Sequence, residues 1–270
     1  MTDWLSSDVR FNGVKMHYYR TGGNKPPLIL NHGATDDGLC WTPVAKAFEA
    51  DYDVITPDAL GHGLSDDTDG PANSEQRAEH LAGFIRALCL TKPIVGGHSM
   101  GAGSAMYLAA LYPDLPSRII LEDPGLWRSP HPDGGGARAE LMARMRESTT
   151  RMRAMTREEL IALCRKQSPT WAEEELGPWA DAKLRVRPSM DFTRGKEPAL
   201  TWQQAVARIT CPTLLVTSDV ALGGIVSPEA AAEAQALMPT LRVAHIAGAG
   251  HNIRREQFGA FVAAVRSFLA

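Results

Sequence analysis

Residues 95–103 read Val-Gly-Gly-His-Ser-Met-Gly-Ala-Gly, so Gly97 and Gly101 flank Ser99 with G-x-S-x-G spacing. A short apolar run, Pro93–Gly96, precedes this stretch, and a helical one, Gly101–Tyr112, follows it. A sharp turn from strand to helix crowds neighbouring backbone, which requires glycine on either side and lifts the serine hydroxyl clear of a sheet. The same turn aims the N–H of Met100 at the oxygen of a bound carbonyl. The chemistry this permits is attack by Ser99 on an acyl carbon, and a serine hydroxyl needs a base to do it. Of the eight histidines, His251 is the candidate, because Ala247-Gly-Ala-Gly-His-Asn252 lies between the last strand and the C-terminal helix. His32 and His62 fall in loops at strand ends and read as structural. His98, inside the turn, is expected to point away from Ser99, and His245 falls within a strand.

The elements that must hold these residues alternate. Val14–Tyr19, Leu28–Asn31, Asp53–Pro57, Pro93–Gly96, Arg118–Glu122, Thr213–Thr217 and Arg242–Ile246 are short, rich in β-branched and aliphatic residues, and bounded by Gly, Pro or Asp. They read as strands, several of them apolar on both faces as in a covered parallel sheet. Helices are expected at Trp41–Phe48, Ser74–Leu88, Gly101–Tyr112, Pro228–Met238 and Gln257–Leu269, the fourth started by Ser227-Pro228-Glu229. The fold class is therefore α/β, with a doubly wound, mostly parallel sheet. The alternation stops between Leu126 and Arg208, where a Pro/Gly-rich loop at Ser129–Gly136 leads into amphipathic helix carrying Met142, Met145, Met152 and Met155. The organisation expected is a core domain of residues 1–125 and 209–270, with a helical insertion at 126–208.

Composition sets the outer limits. With 270 residues, 44% hydrophobic and 22% charged, the chain has the make-up of a globular domain rather than a disordered one. A net charge of −3 gives no broad basic footprint for nucleic acid. No secretory pattern opens the chain and no apolar run is long enough for a membrane span, so a cytoplasmic protein is expected. Cys40, Cys89, Cys164 and Cys211 are scattered without a C-x-x-C pair, and no His/Cys/Asp cluster has metal-ligand spacing. No cofactor or metal is expected, and oligomeric state is not readable.

Four motifs in order resemble the α/β-hydrolase family: Asn31-His-Gly-Ala34 after an early strand, Asp58-Ala-Leu-Gly-His-Gly-Leu-Ser65, the turn at Ser99, and Gly250-His251. The resemblance covers nearly the whole chain. It implies that the N–H of Ala34 joins that of Met100 in holding an oxyanion, and that the insertion, after the sixth family strand, is a cap over the active site. It also implies an acid that orients His251, and here the chain departs from the pattern. The slot after the next-to-last strand falls on Ala221, with Asp219 two residues early. Some members, haloalkane dehalogenases and zearalenone lactonases among them, carry the acid one strand earlier, where this chain has Glu122 and Asp123. Asp219 and Asp123 both stand as candidates, with Glu122 beside them.

The expected reaction is hydrolysis of a carboxylic ester or lactone through an acyl-enzyme, of the EC 3.1.1 type, on a small, neutral, apolar substrate. The arginines of the insertion are interspersed with glutamates and read as a solvated face. Gly33, Leu126, Trp127 and Met155 are the candidate substrate contacts. Carbon–carbon bond hydrolysis and cofactor-free perhydrolysis use the same residues in similar proteins, and a ligand-binding receptor on the same scaffold is the alternative outside enzymes.

Overall fold

A computed structural model describes residues 4–68, 70–125, 136–190 and 196–270, the side chains of 136–138 excepted. Eight strands form one sheet: β1 (Leu5–Phe11), β2 (Val14–Arg20), β3 (Pro27–Asn31), β4 (Asp53–Pro57), β5 (Ile94–His98), β6 (Arg118–Glu122), β7 (Thr213–Ser218) and β8 (Arg242–Ile246). Their order is β1-β2-β4-β3-β5-β6-β7-β8. β1 pairs antiparallel with β2, and β2 with β4, while every pairing from β4 to β8 is parallel. Ten α-helices lie among the described residues: α1 (Thr42–Phe48), α2 (Ser74–Ala87), α3 (Met100–Leu111), α4 (Gly136–Arg153), α5 (Arg157–Gln167), α6 (Glu173–Arg185), α7 (Trp202–Val206), α8 (Pro228–Leu237), α9 (Ile253–Glu256) and α10 (Phe258–Leu269). This is the α/β-hydrolase fold. None of the helices is long and apolar enough to cross a membrane.

Strand residues alternate between two cores, as the pleat demands. Ile29, Val95, Ile119, Leu121 and Leu215 face one side and pack with α2, α3, α7 and α8. Leu28, Leu30, Ile94, Ile120, Leu214 and Val216 face the other and pack with α1 and α10. The sequence pattern missed β1. Its residues Leu-Ser-Ser-Asp-Val-Arg-Phe are half-polar and mostly exposed, and what holds them is full-length pairing with β2 at the sheet edge. Between β6 and β7 the described residues contain helices only. α5 and α6 share a small core of Leu160, Cys164, Leu176, Trp179 and Ala180, joined by Met152, Met155 and Trp171.

Strand order reverses between β3 and β5. Chains leaving their C-terminal ends diverge there and open a crevice, the usual position for a ligand site in an open α/β sheet. The loop after β3 carries Gly33 and Ala34, and the turn after β5 carries Ser99.

Candidate active site

Ser99 stands between β5 and α3 at φ +51°, ψ −108°, a conformation side chains rarely adopt. The turn is possible only because of its glycines. A Cβ on Gly97 would run into the backbone of Gly101, and a Cβ on Gly101 into the carbonyl oxygen of Asn31. Ser99 N–H donates to Glu122 O at 2.9 Å, tying the turn to the end of β6. Met100 opens α3, whose first N–H groups have no intrahelical partner.

Opposite Ser99, the loop after β3 closes by a bond from Asp36 N–H to Gly33 O at 3.2 Å, with Thr35 left-handed at φ +64°. Two histidines brace it. His32 Nδ1 donates to Gly33 O at 2.8 Å, and its Nε2 accepts from Ala59 N–H at 2.9 Å. His62 Nε2 accepts from Thr35 N–H at 3.3 Å. Burial pushes His32 down to about 4 and His62 to about 3, so both are neutral at physiological pH.

The two candidate acids have different partners. Asp123, fully buried and left-handed at φ +41°, lies with Oδ2 2.6 Å from His251 Nδ1. Its carboxylate also accepts from Ile225 N–H at 2.9 Å and Val226 N–H at 3.0 Å, in the loop leading to α8. Asp219 contacts His245 Nε2 at 3.1 Å and accepts from Gly248 N–H at 2.7 Å. Adjacent to Asp123, Glu122 accepts from Arg254 N–H at 2.9 Å and pairs with its guanidinium at 3.1 Å. The end of β6 thus grips both the His251 ring and the start of the helix that follows it.

His98 has a partner that the sequence did not suggest. Its ring packs on that of His251 with centroids 4.5 Å apart, and its Nε2 donates to His251 O at 2.8 Å. Burial holds it well below the ordinary imidazole value, with the nearby His251 contributing.

Ser99, Met100, Ala34, His98 and His251 all line one cavity of about 440 Å³. The inserted segment supplies Met142, Met145, Trp171 and Trp179 to its wall. Met155 does not reach it, because that side chain packs into the small core of α5 and α6. Leu126 and Trp127 lie outside the described residues. Gly33 backs onto His98, where an added Cβ would meet Nδ1 at 2.6 Å, so it supports the loop and is not among the lining residues.

The wall is less apolar than the sequence suggested, since Arg77, Lys183, Lys196 and Arg255 also reach it. Composition and spacing gave no signal for them. Two of the four pair with Asp36, which accepts from Lys183 Nζ at 2.8 Å and Arg255 Nη1 at 3.1 Å. Arg255 also donates to Glu175 at 2.9 Å. Burial would raise the Asp36 carboxyl, but Arg255, Lys183 and Arg254 outweigh it and hold the group far below the usual carboxylate range. These pairs tie α6 both to the loop after β3 and to the helix behind His251. Among the described residues no cluster of three or more His, Cys, Asp or Glu could hold a metal.

Comparison with known proteins adds an independent line. A family model described as "Alpha/beta hydrolase family" matches residues 28–265. The N-formylmaleamate deformylase of Pseudomonas putida is 30% identical, the match covering 97% of this chain and 95% of that protein. The crystal structure of the N-formylmaleamic acid deformylase from Pseudomonas putida S16 superposes with a TM-score of 0.75 at 26% identity, covering 97% of this chain and 100% of that one. That of E-2-(acetamidomethylene)succinate hydrolase gives 0.82 at 23% identity, covering 98% and 99%.

Proposed function

The chain belongs to the alpha/beta hydrolase family and is a hydrolase, and from that premise we propose that it transfers an acyl group from a small substrate to water through an ester on Ser99. His251 takes the hydroxyl proton on Nε2, the ring nitrogen left over once Nδ1 donates to Asp123. Asp123 holds that tautomer and stabilises the imidazolium. The N–H groups of Ala34 and Met100 receive the oxyanion. His251 returns its proton to the leaving group, then draws one from water, and the acyl-enzyme is hydrolysed. The inserted helices act as a cap. The observation that carries this reading is the 2.6 Å contact between His251 and a fully buried Asp123, on a histidine that shares its cavity with a strained serine.

The bond we assign is a carboxylic ester or lactone. Hydrolysis of an N-acyl amide is a second reading, favoured by the likeness to the deformylase along almost the whole chain. The test is a panel of short-chain nitrophenyl esters, lactones, N-formyl and N-acetyl amides and a diketone, run on wild type and Ser99→Ala. Wild type is expected to turn over at least one acyl class, with about a million-fold loss of kcat in the variant. Turnover that survives Ser99→Ala overturns the mechanism, and turnover of the diketone alone replaces it with carbon–carbon cleavage.

A further inference from the structure

The basic side chains of the cavity differ in what balances them. Lys183 and Arg255 share Asp36, and Arg255 has Glu175 as well. Arg77, in the first turn of α2, has no carboxylate within ion-pair distance among the described residues. Its Nε donates to Ser104 Oγ at 3.3 Å, its Nη2 to Ser74 Oγ at 2.9 Å and its Nη1 to Ala72 O, all neutral oxygens. A guanidinium has five N–H donors, so two remain. Desolvation lowers Arg77 to about 10, which still leaves it cationic at neutral pH. Arg77 is half-buried, and a partly desolvated cation without a counter-charge carries a cost that falls when an anion arrives.

We propose that Arg77 is a specificity-determining residue that binds a carboxylate of the substrate, so that this cavity takes small anionic acyl compounds rather than neutral apolar ones. The placement suits the chemistry. Ser104, which accepts from Arg77, lies on α3, the helix that Ser99 precedes. Arg77 and Ser99 line the same cavity, so one small molecule can set a carboxylate at the first and a carbonyl at the second. Planar, forked donors match a carboxylate in two-point contact. Exposed Lys196 lines the same cavity and adds positive charge.

The inference rests on the hydrolytic reading only for the position of the cleaved bond, and two arms separate them. In the first, kcat/KM is compared for mono-4-nitrophenyl glutarate and the neutral 4-nitrophenyl valerate, on wild type, Arg77→Gln and Arg77→Lys. Wild type is expected to favour the charged ester at least tenfold, Arg77→Gln to lose most of that ratio through KM, and Arg77→Lys to keep part of it. Equal handling of the two esters by wild type, or a ratio unchanged in Arg77→Gln, overturns the inference. In the second arm, calorimetric binding of glutarate is measured on the same proteins, Ser99→Ala included. A Kd at least tenfold weaker in Arg77→Gln, with circular dichroism unchanged, supports the subsite without any turnover. Equal Kd values, or no binding to wild type, overturn it. Failure of both esters with glutarate binding intact counts against the hydrolytic reading alone.

Discussion

The floor of the cavity and its helical wall are built on different principles. On the floor, position is dictated by backbone: glycines at 97 and 101 leave no room for side chains, and Asp123 is fixed by two amides and one imidazole. The wall is held by a small core and by the ion pairs that Asp36 makes with Lys183 and Arg255. Steric exclusion tolerates almost no variation, whereas ion pairs and methionines can be exchanged for others of similar size and charge. In the proposed reading, chemistry belongs to the first region and choice of substrate to the second.

The largest effect should come from the floor. Asp123→Asn is expected to lower kcat about 10⁴-fold, since it removes the charge that fixes the His251 tautomer. Asp219→Asn should cost less than threefold, because among the described residues that carboxylate serves His245 and Gly248 and not His251. Steady-state kinetics on the better ester probe decide this, and comparable losses from the two would undo the assignment of the acid.

Acid should expose the same contrast. His32 and His62 titrate near 6.5 in the unfolded chain but at about 4 and about 3 when buried. The unfolded chain therefore binds protons first, so the stability these rings supply is complete above pH 6.5 and declines as pH falls toward 4. For His32 alone the loss is on the order of 3 kcal/mol, at 1.36 kcal/mol per unit. Asp36 follows in the same direction but only in stronger acid: its carboxyl is also held below its unfolded value, so its contribution is intact above 3.8 and is lost as pH falls further below that value. Hydrogen exchange at pH 4.5 should find Ala59 N–H, which donates to His32, deprotected relative to pH 7, and urea midpoints should fall in parallel. A midpoint unchanged between these pH values contradicts the sign argument.

The smallest effects separate two residues of the wall. Met142→Ala should raise KM severalfold with little change in Tm, as expected of a side chain that lines the cavity. Met155→Ala should do the reverse, costing about 1–2 kcal/mol of stability in the core of α5 and α6. Identical profiles for the two would erase the distinction between lining and packing.

Much of the floor was legible because its constraints are local. Strand residues announce themselves by burial on both faces, and the glycines around Ser99 mark a turn that nothing bulkier permits. β1 was not legible, since its stability comes from pairing with β2 and little from its own side chains. Nor could the two aspartates be told apart, because the decision lies with the path of the loop through Ile225 and Val226, whose N–H groups go to the carboxylate of Asp123 and not to that of Asp219. Arg77 stayed hidden among Glu75, Gln76 and Glu79, where a helix normally carries solvated charge. Only the packing of α2 against α3 turns it toward Ser104. The contact of His98 with His251 was not legible either, since it joins residues 153 apart in the chain.

The place of the proposed acid, Asp123, at the end of β6 bears on how the chain becomes competent. Ser99 and Asp123 belong to one strand–helix–strand unit, β5–α3–β6, whereas His251 meets Asp123 across 128 residues of chain. Closing the longer loop costs more entropy and contributes later than contacts within a single unit. During refolding, nucleophile and acid should be in register before any base is present. Recovery of activity would then clock the docking of the final segment onto a sheet already formed, and lag behind the return of helical signal.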